Sequence, residues 1–201
     1  MARPPAIEIE TALWLALDVS SLKLTDDQLV CLFRDNDEYQ FELSAKGELI
    51  IMSPANAKAS MKNARLTIRL GTWAEQDGSG VTFDSSALFT LPNGAKRGPD
   101  AAWISKKHWD RLTDEEQESF SNLAPDFVIE LRSKSDRLAR LEQKMEEYMA
   151  NGVRLGWLLD PIKNRATIYR PGRTPQEIDK PDILNGDPVL PGFRFDFREI
   201  L

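Results

Sequence analysis

The chain has 201 residues, 41% hydrophobic and 29% charged, with a formal net charge of −6. A chain of this length builds one domain that buries about 70% of the surface its unfolded form exposes, and the composition excludes disordered, collagen-like and fibrous classes. The acidic balance excludes a non-specific nucleic-acid coat, which needs a strong basic excess, but leaves room for a local basic cleft.

The opening segment, MARPPAIEIE, carries acids where a signal peptide needs an apolar stretch. No apolar run approaches the ~20 residues that span a bilayer, so a cytoplasmic protein with no membrane partner is expected. Residues 1–24 read as an N-terminal extension packed on a single domain of residues 25–201. Thr25-Asp26-Asp27-Gln28 has the form of a capping box. It opens a helix from Asp26 to Asp35, with Leu29, Leu32 and Phe33 at helical spacing. Cys31, within LVCLF, is expected to be a packing residue, and as the single cysteine it excludes an intramolecular disulfide and a thiolate zinc site.

Residues 39–43 and 48–52 flank Ala45-Lys46-Gly47 and predict a hairpin, ended by Ser53-Pro54. The longest helix is predicted over 55–76, with Met61, Leu66, Ile68, Leu70 and Trp73 as its apolar positions. Short strands follow over 81–83, 88–91 and 99–104. The polar stretch 106–122 predicts short helices or a loop. It holds the single histidine, His108, which argues against His-based metal sites and a Ser-His-Asp triad. Phe127-Val128-Ile129-Glu130-Leu131 has the pattern of a buried strand. A helix over 136–151 closes on Asn151-Gly152. Strands over 155–159 and 166–170 follow, and a last one over 193–197. Strand, crossover helix and strand between residues 126 and 159 imply a parallel pair. With the antiparallel hairpin, this gives a mixed sheet with helices on its faces.

With one cysteine and one histidine, chemistry must come from carboxylates, lysines and a metal ion. Asp100 follows Pro99 at the start of an apolar strand, and Glu130 sits inside a run that otherwise reads as core. A carboxylate there is costly unless ion-paired or metal-bound. Two carboxylates on neighbouring strands suit a hard divalent ion such as Mg²⁺, and a cation is then needed to orient water or offset transition-state charge. Arg132, two residues after Glu130 on an extended strand, and Lys144, on the following helix, are the candidates. Arg137, Arg140 and Lys144 share a helix face, either as a phosphate-binding stripe or as a solvated face. Asp126 is expected to cap its strand. Trp103, Trp109 and Trp157 are expected in the core or an interface.

These residues also carry a family resemblance. The order Pro99-Asp100, Pro125-Asp126-Phe-Val-Ile-Glu130-Leu-Arg-Ser-Lys-Ser-Asp136, Lys144-Met-Glu-Glu-Tyr148 and Gly152-Val-Arg-Leu-Gly-Trp-Leu-Leu-Asp160-Pro161 resembles the Uma-type restriction-endonuclease family of the PD-(D/E)XK nuclease superfamily. Gly47-Glu48-Leu-Ile-Ile-Met-Ser53-Pro54 looks like its early hairpin, and Val189-Leu-Pro191-Gly192-Phe193 like its closing motif. The resemblance implies a restriction-endonuclease-like α/β (α+β) core: a mixed central sheet flanked by helices. It further implies Mg²⁺-dependent hydrolysis of DNA phosphodiesters, with Mn²⁺ as substitute. Carried over, Asp100 and Glu130 are metal ligands, joined by the Leu131 carbonyl. Lys144 replaces the superfamily's strand lysine, whose place is taken by Arg132, a phosphate clamp rather than a proton-transfer group. Glu48 and Tyr148 are auxiliary, Tyr148 positioning Lys144 from one helical turn away. Double-stranded DNA is the implied substrate, and a homodimer would present one site per strand. The family's histidine after the Ser-Pro is absent from Ala55–Ser60. That departure and the acidic charge favour the alternative, a catalytically weak nuclease-fold nucleic-acid-binding or interaction module.

Overall fold

The computed structural model describes residues 14–119 and 123–201. Residues 1–13 of the expected extension, and 120–122 of the polar stretch, lie outside the described residues. Strand β1 (Trp14–Asp18) and a 3₁₀ turn (Ser20–Leu22) lead to helix α1 (Asp26–Arg34). The capping box forms: the Gln28 amide N–H donates to Thr25 Oγ1 at 3.3 Å and the Thr25 N–H to Gln28 Oε1 at 2.9 Å. Cys31 is exposed rather than packed, because α1 turns inward on Leu29 alone.

Strands β2 (Gln40–Leu43) and β3 (Glu48–Met52) make the predicted hairpin, and β1 adds to its outer side antiparallel to β3. Gly47 in the turn has φ +81°, and a Cβ there would lie 2.9 Å from the Ser20 backbone, so conformation and space both require glycine. Helix α2 (Ala57–Asp77) is N-capped by Asn56, whose Oδ1 accepts from the Ala59 N–H at 3.0 Å, and ends on Gly78 at φ +69°. Its buried line is Lys62, Leu66, Leu70 and Ala74, spaced by four, whereas Met61 and Ile68 face out.

Strands β4 (Gly80–Phe83), β5 (Phe89–Thr90), β6 (Lys96–Arg97) and β7 (Ala101–Ser105) precede two short helices, α3 (Lys106–Trp109) and α4 (Asp114–Glu118). Strand β8 (Phe127–Leu131), helix α5 (Leu138–Ala150) and strand β9 (Leu155–Asp160) form the crossover unit. Helix α5 starts two residues later than the sequence predicts because Asp136 accepts from the Ser133 N–H at 2.6 Å and closes a turn. Strands β10 (Arg165–Tyr169), β11 (Gln176–Asp179), β12 (Ile183–Asn185) and β13 (Arg194–Asp196) follow, ending in a 3₁₀ turn (Phe197–Ile200). Strands β11 and β12 escape prediction because each carries too few apolar residues to alternate.

The larger sheet runs β11-β10-β9-β8-β7-β4. Only β8 and β9 pair in parallel and the other neighbours are antiparallel, so the sheet is mixed as expected. The smaller sheet, β1-β3-β2-β6-β5, is antiparallel throughout. Alternation along β8 splits the core. Phe127, Ile129 and Leu131 face Leu66, Leu70 and the C-terminal Phe193, Phe195 and Phe197. Val128 faces Met145 and Tyr148 of α5 and Phe89. Trp103 and Trp157 are buried in the first cluster, and Trp109 packs on the second. Among the described residues no helix is long and apolar enough to cross a membrane.

Candidate active site

The β7–β8 register builds the site. Ala101 pairs with Ile129 and Ala102 with Val128, so continuing the ladder by one residue sets Asp100 opposite Glu130. Residues directly opposite on antiparallel strands share a sheet face. The two carboxylates thus come together at the end of the ladder, Glu130 on the α5 face after Val128 and Asp100 close enough for its charge to act on Glu130. The Asp100 carboxylate is held at both oxygens: Oδ2 accepts from the Leu131 N–H and Oδ1 from Asn63 Nδ2, each at 2.7 Å.

Helix α5 delivers the cation. The Lys144 ammonium lies 2.8 Å from Glu130 Oε1 and 2.7 Å from Glu42 Oε1, and donates to the Gly98 carbonyl at 2.9 Å. An ammonium has three N–H groups, and these three acceptors use all of them. Tyr148, one turn on and fully buried, donates its hydroxyl to Glu130 Oε1 at 3.1 Å. Its partner is thus the glutamate rather than Lys144, whose ammonium lies 5.8 Å from the Tyr148 ring centre.

Glu42, on β2 of the smaller sheet, was not visible in the sequence as a site residue. Its Oε2 pairs with Arg97 at 3.0 Å, and its Oε1 accepts from the Gly98 N–H at 3.0 Å. Arg97 also reaches Glu147 of α5 at 2.5 Å. The only sequence signal was a carboxylate between Phe41 and Leu43, which an exposed strand face explains equally well.

Glu42 and Glu130 thus meet Lys144, and Glu42 and Glu147 meet Arg97, with the Asp100 carboxylate beside them. Burial, together with Asp100 and Glu42, pushes the Glu130 carboxyl up to about 8 against the pull of Lys144. Burial likewise raises Asp100, opposed by the Leu131 amide and Lys144. Burial disfavours charge on Glu42 too, but Lys144 and Arg97 outweigh it and hold Glu42 below its ordinary value. For Lys144, burial is outweighed by Glu130 and Glu42, and its value rises. Tyr148 rises well above its ordinary value through burial and the two glutamates.

These groups line a cleft of about 820 Å³ between the two sheets and helices α2 and α5. The donor chemistry fits a hard divalent cation. Two carboxylates lie close together, and Asn63 Oδ1 is a buried acceptor with no partner. Among the described residues no group of three or more His, Cys, Asp or Glu is arranged to hold a metal. A carboxylate pair suits Mg²⁺, which keeps several of its waters.

The other sequence candidates fall into place around this cleft. Arg132 does not line it. Its guanidinium pairs with Asp160 at 2.7 Å, because β8 has ended at Leu131 and the chain turns toward the end of β9. Glu48 lines the cleft, but its carboxylate accepts from Ser44 Oγ at 3.0 Å within the hairpin. Arg137 and Arg140 line the mouth, with Arg140 stacked 3.4 Å above the Trp14 ring. Asp126 sits at the far end of β8, where it accepts from the Ser105 N–H (2.8 Å) and meets His108 (3.0 Å) and Arg154 (3.2 Å). The lone histidine is therefore used away from the cleft. Ala55, Asn56 and Ala59, in the stretch without a histidine, line the cleft wall.

The architecture is shared with a known structure. The chain is similar to a structure described as "a putative nuclease belonging to DUF820" from Anabaena variabilis. The TM-score is 0.70 at 20% identity, covering 88% of this chain and 97% of that one. A weaker likeness, TM-score 0.38 at 17% identity, covers 58% of this chain and 10% of a chain in a cryo-electron-microscopy structure of a DrdV–DNA complex. None of the curated proteins compared matches the sequence. Residues 26–198 match the family described as "Uma2: Putative restriction endonuclease", and the chain belongs to that family.

Proposed function

We propose that the protein is a metal-dependent endonuclease hydrolysing DNA phosphodiester bonds, with Mg²⁺ held by Asp100 and Glu130 and Mn²⁺ as a substitute. The observation that carries this reading is the apposition of Asp100, Glu130 and Lys144 in one cleft. The Leu131 carbonyl, beside the amide that fixes Asp100, is the proposed third protein ligand. A bound divalent ion supplies Lewis-acid polarisation of the phosphate and a water of lowered pKa.

The remaining work belongs to the chain. Lys144 carries positive charge to the edge of the carboxylate pair, where it orients the attacking water and offsets the charge that develops on the phosphate. Glu42 is a positioning residue: it holds Lys144 by charge and is itself fixed by Arg97 and the Gly98 amide. Tyr148 orients the Glu130 carboxylate. Glu48 shapes the hairpin wall. DNA is the proposed substrate, and cutting both strands favours a C2 homodimer.

The test is incubation of supercoiled plasmid with the protein in Mg²⁺ and in Mn²⁺, beside Glu130→Ala. Cleavage by the wild type alone supports the reading, whereas unchanged cleavage by a folded Glu130→Ala protein sinks the site. The second reading, a non-catalytic nuclease-fold binding module, is favoured by the Lys144 ammonium having every N–H engaged. Calorimetry separates the two: saturable Mg²⁺ or Mn²⁺ binding that disappears in Asp100→Ala belongs to the nuclease, and no metal binding belongs to the module.

A further inference from the structure

Helix α2 forms one wall of the cleft through Asn56, Ala59 and Asn63. Beside that wall run Lys58, Lys62, Arg65 and Arg69, spaced by four, three and four, so they form one stripe along the helix. No acid occurs on α2 before Glu75. Glu199 offsets part of the stripe, pairing with Arg69 at 2.9 Å and accepting from Arg65 through its carbonyl. A local excess of about three positive charges in a chain of net charge −6 is a marked asymmetry.

Lys62 gives the stripe its meaning. It is only 8% exposed, yet among the described residues no carboxylate pairs with it and no acceptor takes its protons. Its stem is buried while its ammonium reaches the surface, so the charge is open to an arriving anion. Burial, with Lys58 and Arg65 close by, lowers its proton affinity below that of an ordinary lysine.

We infer that the α2 stripe of Lys58, Lys62 and Arg65 is the track for the phosphate backbone of duplex DNA leading away from the cleft. This rests on the nuclease reading and names where that substrate lies. Lys58 and Arg65 are seven residues apart, so the track is about 10 Å long, the rise of about three base-pair steps of B-DNA. It begins at the cleft wall and carries no base-reading element, so it contributes affinity without sequence preference.

The test is binding of a fluorescent duplex, with metal chelated so that no strand is cut, across a series of salt concentrations. Each phosphate contact contributes about −0.9 to the slope of log K against log salt. The Lys58→Gln/Arg65→Gln variant, both exposed positions, is expected to flatten the slope by about 1.8. Lys62→Met is expected to flatten it by about 0.9 with Tm little changed, whereas a purely structural lysine would lower Tm and leave the slope. Arg173→Gln, in the exposed turn before β11, is the control and keeps the wild-type slope. Equal slopes for wild type and the double variant overturn the track, as does an equal loss in the control. Plasmid cleavage is measured alongside: if the wild type cuts and the slopes are equal, the track alone fails, and if the wild type neither cuts nor binds, the nuclease reading fails with it.

Discussion

Glu42 and Glu130 accept from the same ammonium group, that of Lys144, at 2.7 and 2.8 Å, although one glutamate belongs to the small antiparallel sheet and the other to the large mixed sheet. The shared cation makes the two carboxylates one electrostatic unit, and their substitutions will not be additive.

Lys144→Met removes the cation and leaves two buried carboxylates facing each other. Breaking a buried pair from one side costs about 3–5 kcal/mol. Urea unfolding is expected to show a loss of that order, with metal-dependent cleavage abolished. Lys144→Met paired with Glu42→Gln should recover part of the stability but none of the activity. Full additivity of the two losses would contradict the coupling.

Glu42→Gln alone keeps the shape of the side chain and removes its charge. Lys144 is then held by Glu130 and Gly98 only. The expected outcome is a fall in kcat of about 10- to 100-fold, about 1.4–2.7 kcal/mol in the barrier, with KM for plasmid little changed. A change confined to KM would mean that Glu42 acts on substrate binding instead.

Tyr148→Phe deletes one hydroxyl in a fully buried position. Its loss leaves Glu130 with one donor fewer and costs about 1 kcal/mol in stability, read as a lower urea midpoint. Cleavage per folded molecule is expected to fall several-fold, because the Glu130 carboxylate loses its orientation but keeps its place.

Arg132→Ala separates two roles for a residue that the sequence offered as a phosphate clamp. Its guanidinium is occupied by the buried Asp160, which also accepts from the Ile162 and Lys163 amides at 3.0 and 3.1 Å. The variant is expected to lose about 1–3 kcal/mol of stability while KM for DNA stays as in the wild type. A raised KM with unchanged Tm would restore the clamp.

Asp126 predicts an acid-limb effect. Burial works against its charge, but the Ser105 amide, Arg154 and His108 outweigh burial and hold its folded value below the ordinary carboxylate range. A depressed folded value means the contribution is complete above the unfolded value, near 3.9, and disappears as pH falls through the folded value. Asp126→Asn is expected to lower Tm at neutral pH and to flatten the decline of Tm below about pH 4. Parallel Tm–pH curves for the two proteins would exclude the linkage.

How far the site was legible follows from which forces position each residue. Glu130 stood out because a carboxylate interrupts an apolar run, and that anomaly is local. Asp100 was readable for the same reason, and its place opposite Glu130 follows from one strand register. Lys144 was a candidate cation from its place on the helix after β8, but a charged residue on a charged helix, and the family resemblance set it above Arg132. Glu42 carried no local signal, because its burial arises from the docking of the small sheet against α5, a contact between segments about a hundred residues apart. Lys62 was hidden differently: the apolar count favoured Met61 and Ile68, whereas spacing by four from Leu66, Leu70 and Ala74 marks the face that goes inward. Arg132 was misread because alternation was carried one residue past the end of β8.

The Lys144 bridge has an evolutionary consequence. The seam between the two sheets is closed by the same charges proposed to do chemistry, so cohesion and reactivity share one set of atoms. A lineage that abandons cleavage is not thereby free to lose Lys144, since its ammonium joins the two sheets. Retention of this constellation in a relative is therefore a weak sign that the relative still cuts, and variation at Asp100, whose hydrogen bonds go to Asn63 and the Leu131 amide rather than to Lys144 or Glu42, is the more informative marker.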